Sequence, residues 1–400
     1  MKQESKCNLL RRKSPRIHSS VAGFSFELVS ASNNDFGNRL YNILSKTGDG
    51  NLVISPFSLS SLGLILLSGS KGRTRETLRK TFQFPSNHMI DEYLSGYRFM
   101  IPLLNRRKDI HLKTANGIFL MKGFRLLKRF KNVISDNFNA DIKAVDFGDP
   151  YKATNLINSW VKDNTNGKIT HLVNKDSLGP RTNMILTNAL YFKGDWASKF
   201  DPANTKETGF YVTPNQMVTI PMMTQTAEYK YAQFRELKCK MLEIPYKGGS
   251  VAMQFILPDA HEDLSTIEQN INTLVSKFPL YSSKRKISVA LPKFKIMSKM
   301  ELKEPLERLN QHMKDLFSGH PDFSKMTKAR GLQISRVIQD VFIEVNEEGS
   351  EAAAATAVFS LFKSRSIVTP FNMNHPFIFF IRDINTGLVL FQGRVNDPSI

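Results

Sequence analysis

Cysteine is nearly absent: the 400 residues include only Cys7 and Cys239, far apart in the chain. They offer no disulfide framework, so the chain belongs in a reducing compartment or is stable without cross-links. Long apolar runs are missing as well. Stretches such as LGLILL and PFIFFI fall far short of the roughly 18 residues that span a bilayer, and no transmembrane anchor is expected. The opening MKQESKCNLLRRKSPRIHSS is basic and polar and lacks the apolar centre of a secretion signal. Asparagine is plentiful, yet Asn-X-Ser/Thr never occurs, which argues against a glycosylated, secreted protein.

Catalytic signatures are also missing. There is no G-x-S-x-G elbow and no C-x-x-C, and His261-Glu262 has no second histidine to complete a zinc helix. SGSKGRT contains glycines and Lys71, but it follows a helical stretch and lacks the Gly-Lys-Ser/Thr order of a nucleotide cradle. DFG at Asp146 to Gly148 stands without a catalytic loop, so both segments read as structural turns. The eight histidines are scattered, and His375 before Pro376 reads as packing or capping. Neither an enzyme nor a metal site is expected, and no metal or organic cofactor.

What is present is an ordinary globular composition with 41% hydrophobic residues and a net charge of +19, from 55 Lys and Arg against 36 Asp and Glu. A core of this size is readily buried, and the charge makes a polyanionic partner an expectation. The excess is divided among separate clusters. RRKSPR reads as a solvated tail, with a localisation signal as the alternative. Arg106, Arg107 and Lys108 form one group, Lys122, Arg125, Lys128, Arg129 and Lys131 a second, and Lys284 to Lys286 a third. A solvated face is the default for each.

Residues 1–23 are read as a disordered basic extension, and 24–396 as a single domain ending in a short tail, 397–400. FELVSASNNDFGNRLYNILSK spaces its apolar residues as an amphipathic helix. SPFSLSSLGLILLSGSKG is a buried helix with Ser55 to cap it, Pro56 in its first turn, and Gly69 and Gly72 to end it. KTANGIFL, NMILTNALYF, VAMQFILP, ISVALPKFKI and VFIEV read as strands, and Asn385-Thr386-Gly387 as the turn of a hairpin. Intermingled elements without regular alternation predict an α+β fold.

The segment NEEGSEAAAATAV, Asn346 to Val358, joins a strand to four alanines through an acidic bend. Written as a β-strand, one face carries Ser350, Ala352, Ala354, Thr356 and Val358, with no charge among them. Small uncharged residues on one parity suit a strand that slides into an existing sheet, and Gly349 supplies the bend. VFIEVNEEGSEAAAATAV resembles the proximal hinge of the serpins. NLVISPFSLSSLGLILLSGSKGRT, NSWVKDNTNGKI, LTNALYFKGDWASKF, LPKF and HPFIFFIRDINTGLVLFQGRV are similar to further motifs of that family, in the family's order.

The resemblance implies a serpin fold of three β-sheets and eight or nine helices with an exposed reactive-centre loop at about 347–371. It also implies suicide inhibition of a serine protease: attack on the loop, an acyl-enzyme, and insertion of the cleaved loop into the main sheet. Its hinge would be Glu347, Glu348, Gly349, Ser350, Glu351, Ala352, Ala353, Ala354, Ala355 and Thr356. The family's spacing places the reactive bond between Lys363 and Ser364, which predicts a trypsin-like target. Arg365 before Ser366 offers the same specificity, and Phe362 a chymotrypsin-like one. The sheet-opening region is matched by Ser55, Ser58, Asn188 and Gln339, the last standing where the family often has histidine. The first two of these basic clusters, Arg106 to Lys108 and Lys122 to Lys131, lie where the family places heparin-like polyanion sites that accelerate inhibition. A non-inhibitory carrier is the alternative, disfavoured by the unobstructed hinge. The family acts mostly outside cells as a monomer, whereas the missing signal and glycosylation motif point to the cytoplasm.

Overall fold

The computed structural model describes residues 16–105, 110–138, 140–348 and 368–400. These residues form fourteen strands: β1 (Leu52–Ile54), β2 (Ile110–Met121), β3 (Ala140–Val145), β4 (Met184–Gly194), β5 (Lys206–Thr213), β6 (Gln216–Phe234), β7 (Cys239–Pro245), β8 (Val251–Pro258), β9 (Ser283–Pro292), β10 (Phe294–Glu301), β11 (Arg336–Val345), β12 (Thr369–Asn372), β13 (Phe377–Asp383) and β14 (Val389–Val395). Ten α-helices accompany them: α1 (Arg16–Leu44), α2 (Pro56–Gly69), α3 (Gly72–Thr81), α4 (Ile90–Asn105), α5 (Lys128–Asn137), α6 (Pro150–Asn164), α7 (Leu264–Gln269), α8 (Ile271–Tyr281), α9 (Lys303–Leu309) and α10 (Lys314–Ser318). None is long and apolar enough to cross a membrane.

Hydrogen bonding joins the strands into two sheets rather than the three expected. One has nine strands in the order β1-β14-β13-β8-β7-β6-β9-β12 with β5 on β6, and the other has five in the order β10-β11-β4-β2-β3. The nineteen-residue β6 causes the merger, since its first part pairs β5, its middle pairs β9 and its last five residues pair β7. The expected hairpin forms between β13 and β14, with Gly387 at φ +73°. The helix count exceeds eight or nine because α9 and α10 are short separate segments of seven and five residues. The first helix begins at Arg16, inside the stretch expected to lie outside the domain.

Both faces of the central strands β4 and β11 of the five-stranded sheet are covered. The larger core lies on the α2 side, where Leu59, Leu62, Leu66 and Phe57 pack with Leu186, Leu190, Val337 and Val341. A smaller core lies beneath α6, where Ile157, Trp160 and Val161 cover Phe119, Ile185, Ala189 and Ile338. Ser55 caps α2 as predicted, its Oγ accepting from the Ser58 N–H, and Pro56 occupies the first turn. The His375 ring lies 3.0 Å from the Pro258 carbonyl and 3.0 Å from the Asn374 side chain.

Candidate functional site

At the centre of the five-stranded sheet, β11 and β4 run parallel with eight residues in register, from Arg336 opposite Ile185 to Ile343 opposite Phe192. Antiparallel ladders flank them, β10 on β11 and β2 on β4. A segment that leaves the end of β11 and turns back runs antiparallel to both strands. Inserted between them, it replaces one parallel ladder by two antiparallel ones, which are slightly more favourable per residue. The sheet is closed here, with β4 and β11 directly paired, so it retains this unused site.

A polar row spans the closed pair. Gln339, Asn188 and Asn116 occupy the same register on β11, β4 and β2. Gln339 Oε1 accepts from the Ser55 N–H at 3.0 Å, while its Nε2 donates to the Ser55 carbonyl at 3.2 Å and to Asn188 Oδ1 at 2.5 Å. Asn188 Nδ2 continues the row to Asn116 Oδ1 at 2.7 Å, and Ser55 Oγ donates to the Leu390 carbonyl at 2.8 Å. The glutamine therefore satisfies its donors and its acceptor in the place where the family often has histidine. Ser58 is brought to the same location but contributes its backbone N–H; its side chain borders a void of about 10 Å³ shared with Asn116. Separating β4 from β11 by one strand spacing of about 4.8 Å breaks the Gln339–Asn188 bond.

Beyond β11, ties at successive residues hold the departing chain. Trp196, stacked on Tyr246, donates from Nε1 to the Asn346 carbonyl at 3.0 Å. Glu347, 9% exposed, receives Thr205 Oγ1 at 2.9 Å and the Lys293 ammonium at 2.9 Å. Burial pushes the Glu347 carboxyl up, but the Lys293, backbone and Thr205 bonds outweigh it and hold the group below its ordinary value. Glu348 meets Lys193 of β4 at 2.6 Å, and that bond lowers its carboxyl and raises the lysine. Sequence reasoning had assigned no role to Asn116, Lys193, Trp196, Thr205 or Lys293, although Lys193, Trp196 and Lys293 lie inside motifs it had quoted. Hinge residues Gly349, Ser350, Glu351, Ala352, Ala353, Ala354, Ala355 and Thr356 lie outside the described residues, as do Phe362, Lys363, Ser364, Arg365 and Ser366.

Next to Gln339, Asp340 points to the opposite side of β11, 2% exposed, with Oδ1 unpartnered. Burial raises its carboxyl to about 6, opposed by Lys299, whose ammonium is donated to the His171 carbonyl at 3.0 Å. The folded chain holds this proton to about pH 6, whereas an unfolded aspartate releases it near pH 4. Stability therefore falls as pH rises through that window, and the full cost remains above it. Asp340→Asn is expected to stabilise the fold by about 2–3 kcal/mol at pH 7.5 and by nothing at pH 4. Denaturant melts at the two pH values test this; an equal gain at both would assign the effect to packing.

The second basic cluster lies at the start of α5, with Lys128, Arg129 and Lys131 on the helix and Lys122 and Arg125 in the turn before it. Lys122 is 3.8 Å from Asp146 at the surface. Arg106, Arg107 and Lys108 lie outside the described residues. Among the described residues, no three His, Cys, Asp or Glu side chains come together in a way that could hold a metal.

This architecture has close counterparts. The chain is 36% identical to antichymotrypsin-2 of Bombyx mori over 90% of its own length and 96% of that protein's. It is 36% identical to leukocyte elastase inhibitor of Homo sapiens, over 93% of this chain and 100% of that one. The structure of native protease nexin-1 with heparin superposes with a TM-score of 0.84 at 30% identity, covering 94% of this chain and all of the other. A family model described as serpin (serine protease inhibitor) matches residues 31–398. With matches of this kind along nearly its whole length, the chain belongs to the serpin family.

Proposed function

We propose that this serpin is a suicide-substrate inhibitor of a trypsin-like serine protease. Acylation occurs at Lys363, before Ser364, and insertion of the cleaved loop between β4 and β11 follows. The observation that carries the reading is the parallel β4–β11 pair, continuous with a hinge whose inserting face from Ser350 to Val358 bears no charge. About ten inserted residues, each gaining a hydrogen bond worth on the order of 1 kcal/mol, supply energy comparable to a whole domain's stability. Cleavage of one loop bond by acyl transfer from Lys363 to the protease, with Ser364 leaving as the new amino terminus, is then enough to release it. Lysine at the cleaved position fits the acidic pocket of trypsin-like enzymes. The hinge lacks the bulky or charged substitutions on that face that would suit a non-inhibitory carrier.

A chymotrypsin-like target is the second reading, because Phe362 adjoins the bond and one relative is named antichymotrypsin. A heparin-like polyanion as accelerator is supported by the +19 charge, the α5 basic cluster and the heparin in the protease nexin-1 structure. Retention on heparin resin that disappears with salt is its test. The main reading is tested by incubating the protein with trypsin and looking for a complex that survives boiling in SDS, with the released peptide weighed. A peptide from Ser364 to Ile400 is expected; one beginning at Ser366 moves the bond to Arg365, and one beginning at Lys363 moves it to Phe362. Complete cleavage without any complex rejects inhibition of this enzyme.

A further inference from the structure

The SGSKGRT turn, unsuited to a nucleotide, opens onto a cleft of about 460 Å³ between α2, α3, α4 and α5. Four cations line it: Lys71 from the turn, Arg75 from α3, Arg129 from α5 and Lys325 from the segment after α10. Asp91 in the lining acts on Arg75 and Asp322 beside the cleft acts on Lys71, both without an ion pair within 4 Å, so two carboxylates stand against four cations. Arg75 is fixed in place, donating from Nη1 to the Leu67 carbonyl at 2.7 Å and from Nε to Asn87 Oδ1 at 3.0 Å. Two helix starts meet the same cleft. Lys71 precedes α3 and Leu127 precedes α5; neither supplies a side-chain cap, and neither helix has an acid in its first turn. The positive ends of both helices thus add to a net excess of positive charge in one concavity.

Crowding of this kind is unfavourable unless something negative completes it. The Lys325 amine registers it: burial lowers it first, and Arg75, Lys71 and Arg129 lower it further. We infer that this cleft is a binding site for a single compact oxyanion, a phosphate or sulfate group, held by Lys71, Arg75, Arg129 and Lys325. Guanidinium groups from two helices give directional donors, and the two ammonium groups close the site from the turn and from the Lys325 segment. The anion is chelated by three separate stretches of chain, 71–75, Arg129 and Lys325, so its binding stabilises their packing. Arg129 alone is shared with the polyanion surface considered above, and the site needs no protease to operate.

The test uses the full chain at constant ionic strength, with sodium pyrophosphate, sodium sulfate and a sulfated hexasaccharide as separate probes. Reductive methylation followed by mass spectrometry reads each lysine. Labelling of Lys325 is expected to slow at least about tenfold under saturating anion, while Lys284 and Lys286 on the far strand β9 keep their rates. Protection by pyrophosphate or sulfate but not by the hexasaccharide identifies free anions as the source, and protection by the hexasaccharide alone identifies a glycan sulfate. In parallel, the rise in melting temperature produced by the protecting anion is expected to vanish in a Lys71→Ala, Lys325→Ala double variant. Equal slowing at Lys325 and Lys284, no protection by any probe, or an undiminished thermal shift in the double variant overturns the site. The labelling arm is read on the unmodified chain, so a poorly folded variant does not remove the test.

Discussion

Ala354→Arg is expected to convert this inhibitor into a substrate. Ala354 lies on the uncharged parity with Ser350, Ala352 and Thr356, nine positions before Lys363, so the protease meets an unaltered reactive bond. Acylation should proceed at its usual rate. The acyl-enzyme then has two fates, hydrolysis or insertion of the loop between β4 and β11, and arginine opposes the second. On the α2 side of the sheet the new strand faces Leu186, Leu190, Val337 and Val341, all at most 4% exposed. Burying an unpaired guanidinium there costs several kcal/mol, and about 1.4 kcal/mol on the insertion step shifts the branching tenfold. The number of inhibitor molecules consumed per protease should rise from near one to well above ten. Ala354→Ser is the control, because it keeps a small uncharged side chain on the same parity, as Ser350 already does. Titrating trypsin with each variant and counting SDS-stable complex against cleaved product decides the matter: if Ala354→Arg still gives one-to-one complex, insertion on this parity is wrong.

Legibility in the sequence followed the range of the interactions. The β13–β14 hairpin, the capped α2 and the strand VFIEV were readable because turn residues, caps and apolar runs are local signals. The polar row was half readable: Ser55, Asn188 and Gln339 came from motifs, whereas Asn116 reached them only through the antiparallel register of β2 and β4. β6 was missed because its exposed and buried positions alternate irregularly around Pro221 and its charged residues, and its three partners lie in different parts of the chain. That strand is also why two sheets stand where three were expected. Asp340 left a signal that went unused, an acid inside the run VIQDVFIEV on a strand covered on both faces. The cationic cleft left none: Lys71 and Lys325 are 254 positions apart (325 − 71), and no spacing rule brings them together.

Glu347→Lys should release the hinge before any protease arrives. Its carboxylate links Lys293, the residue between β9 and β10, to Thr205 before β5, directly beyond the end of β11. The substitution removes both bonds and leaves two ammonium groups facing each other in a site that is 9% exposed at this residue. Lys293 is 41% exposed, so solvent screens part of the repulsion, and about 2 kcal/mol is a reasonable loss for the closed form. In the proposed mechanism the uncleaved state is held by a barrier rather than by being the most stable arrangement, so that loss acts on the opening rate, raising it about thirtyfold. The freed top of the β4–β11 pair then accepts a hinge, either the molecule's own or that of a second copy, as an exposed edge does. Inhibitory activity should decay on mild warming while size-exclusion chromatography shows oligomers or a more heat-resistant monomer. A charge-swapped variant, Glu347→Lys with Lys293→Glu, restores an ion pair of opposite polarity and should recover most of the lifetime. Glu347→Gln keeps an acceptor for Thr205 but loses the charge, so its lifetime should fall between the two. If the swap decays as fast as Glu347→Lys alone, the pair does not guard the opening, and Trp196 with its bond to the Asn346 carbonyl is left as the principal latch.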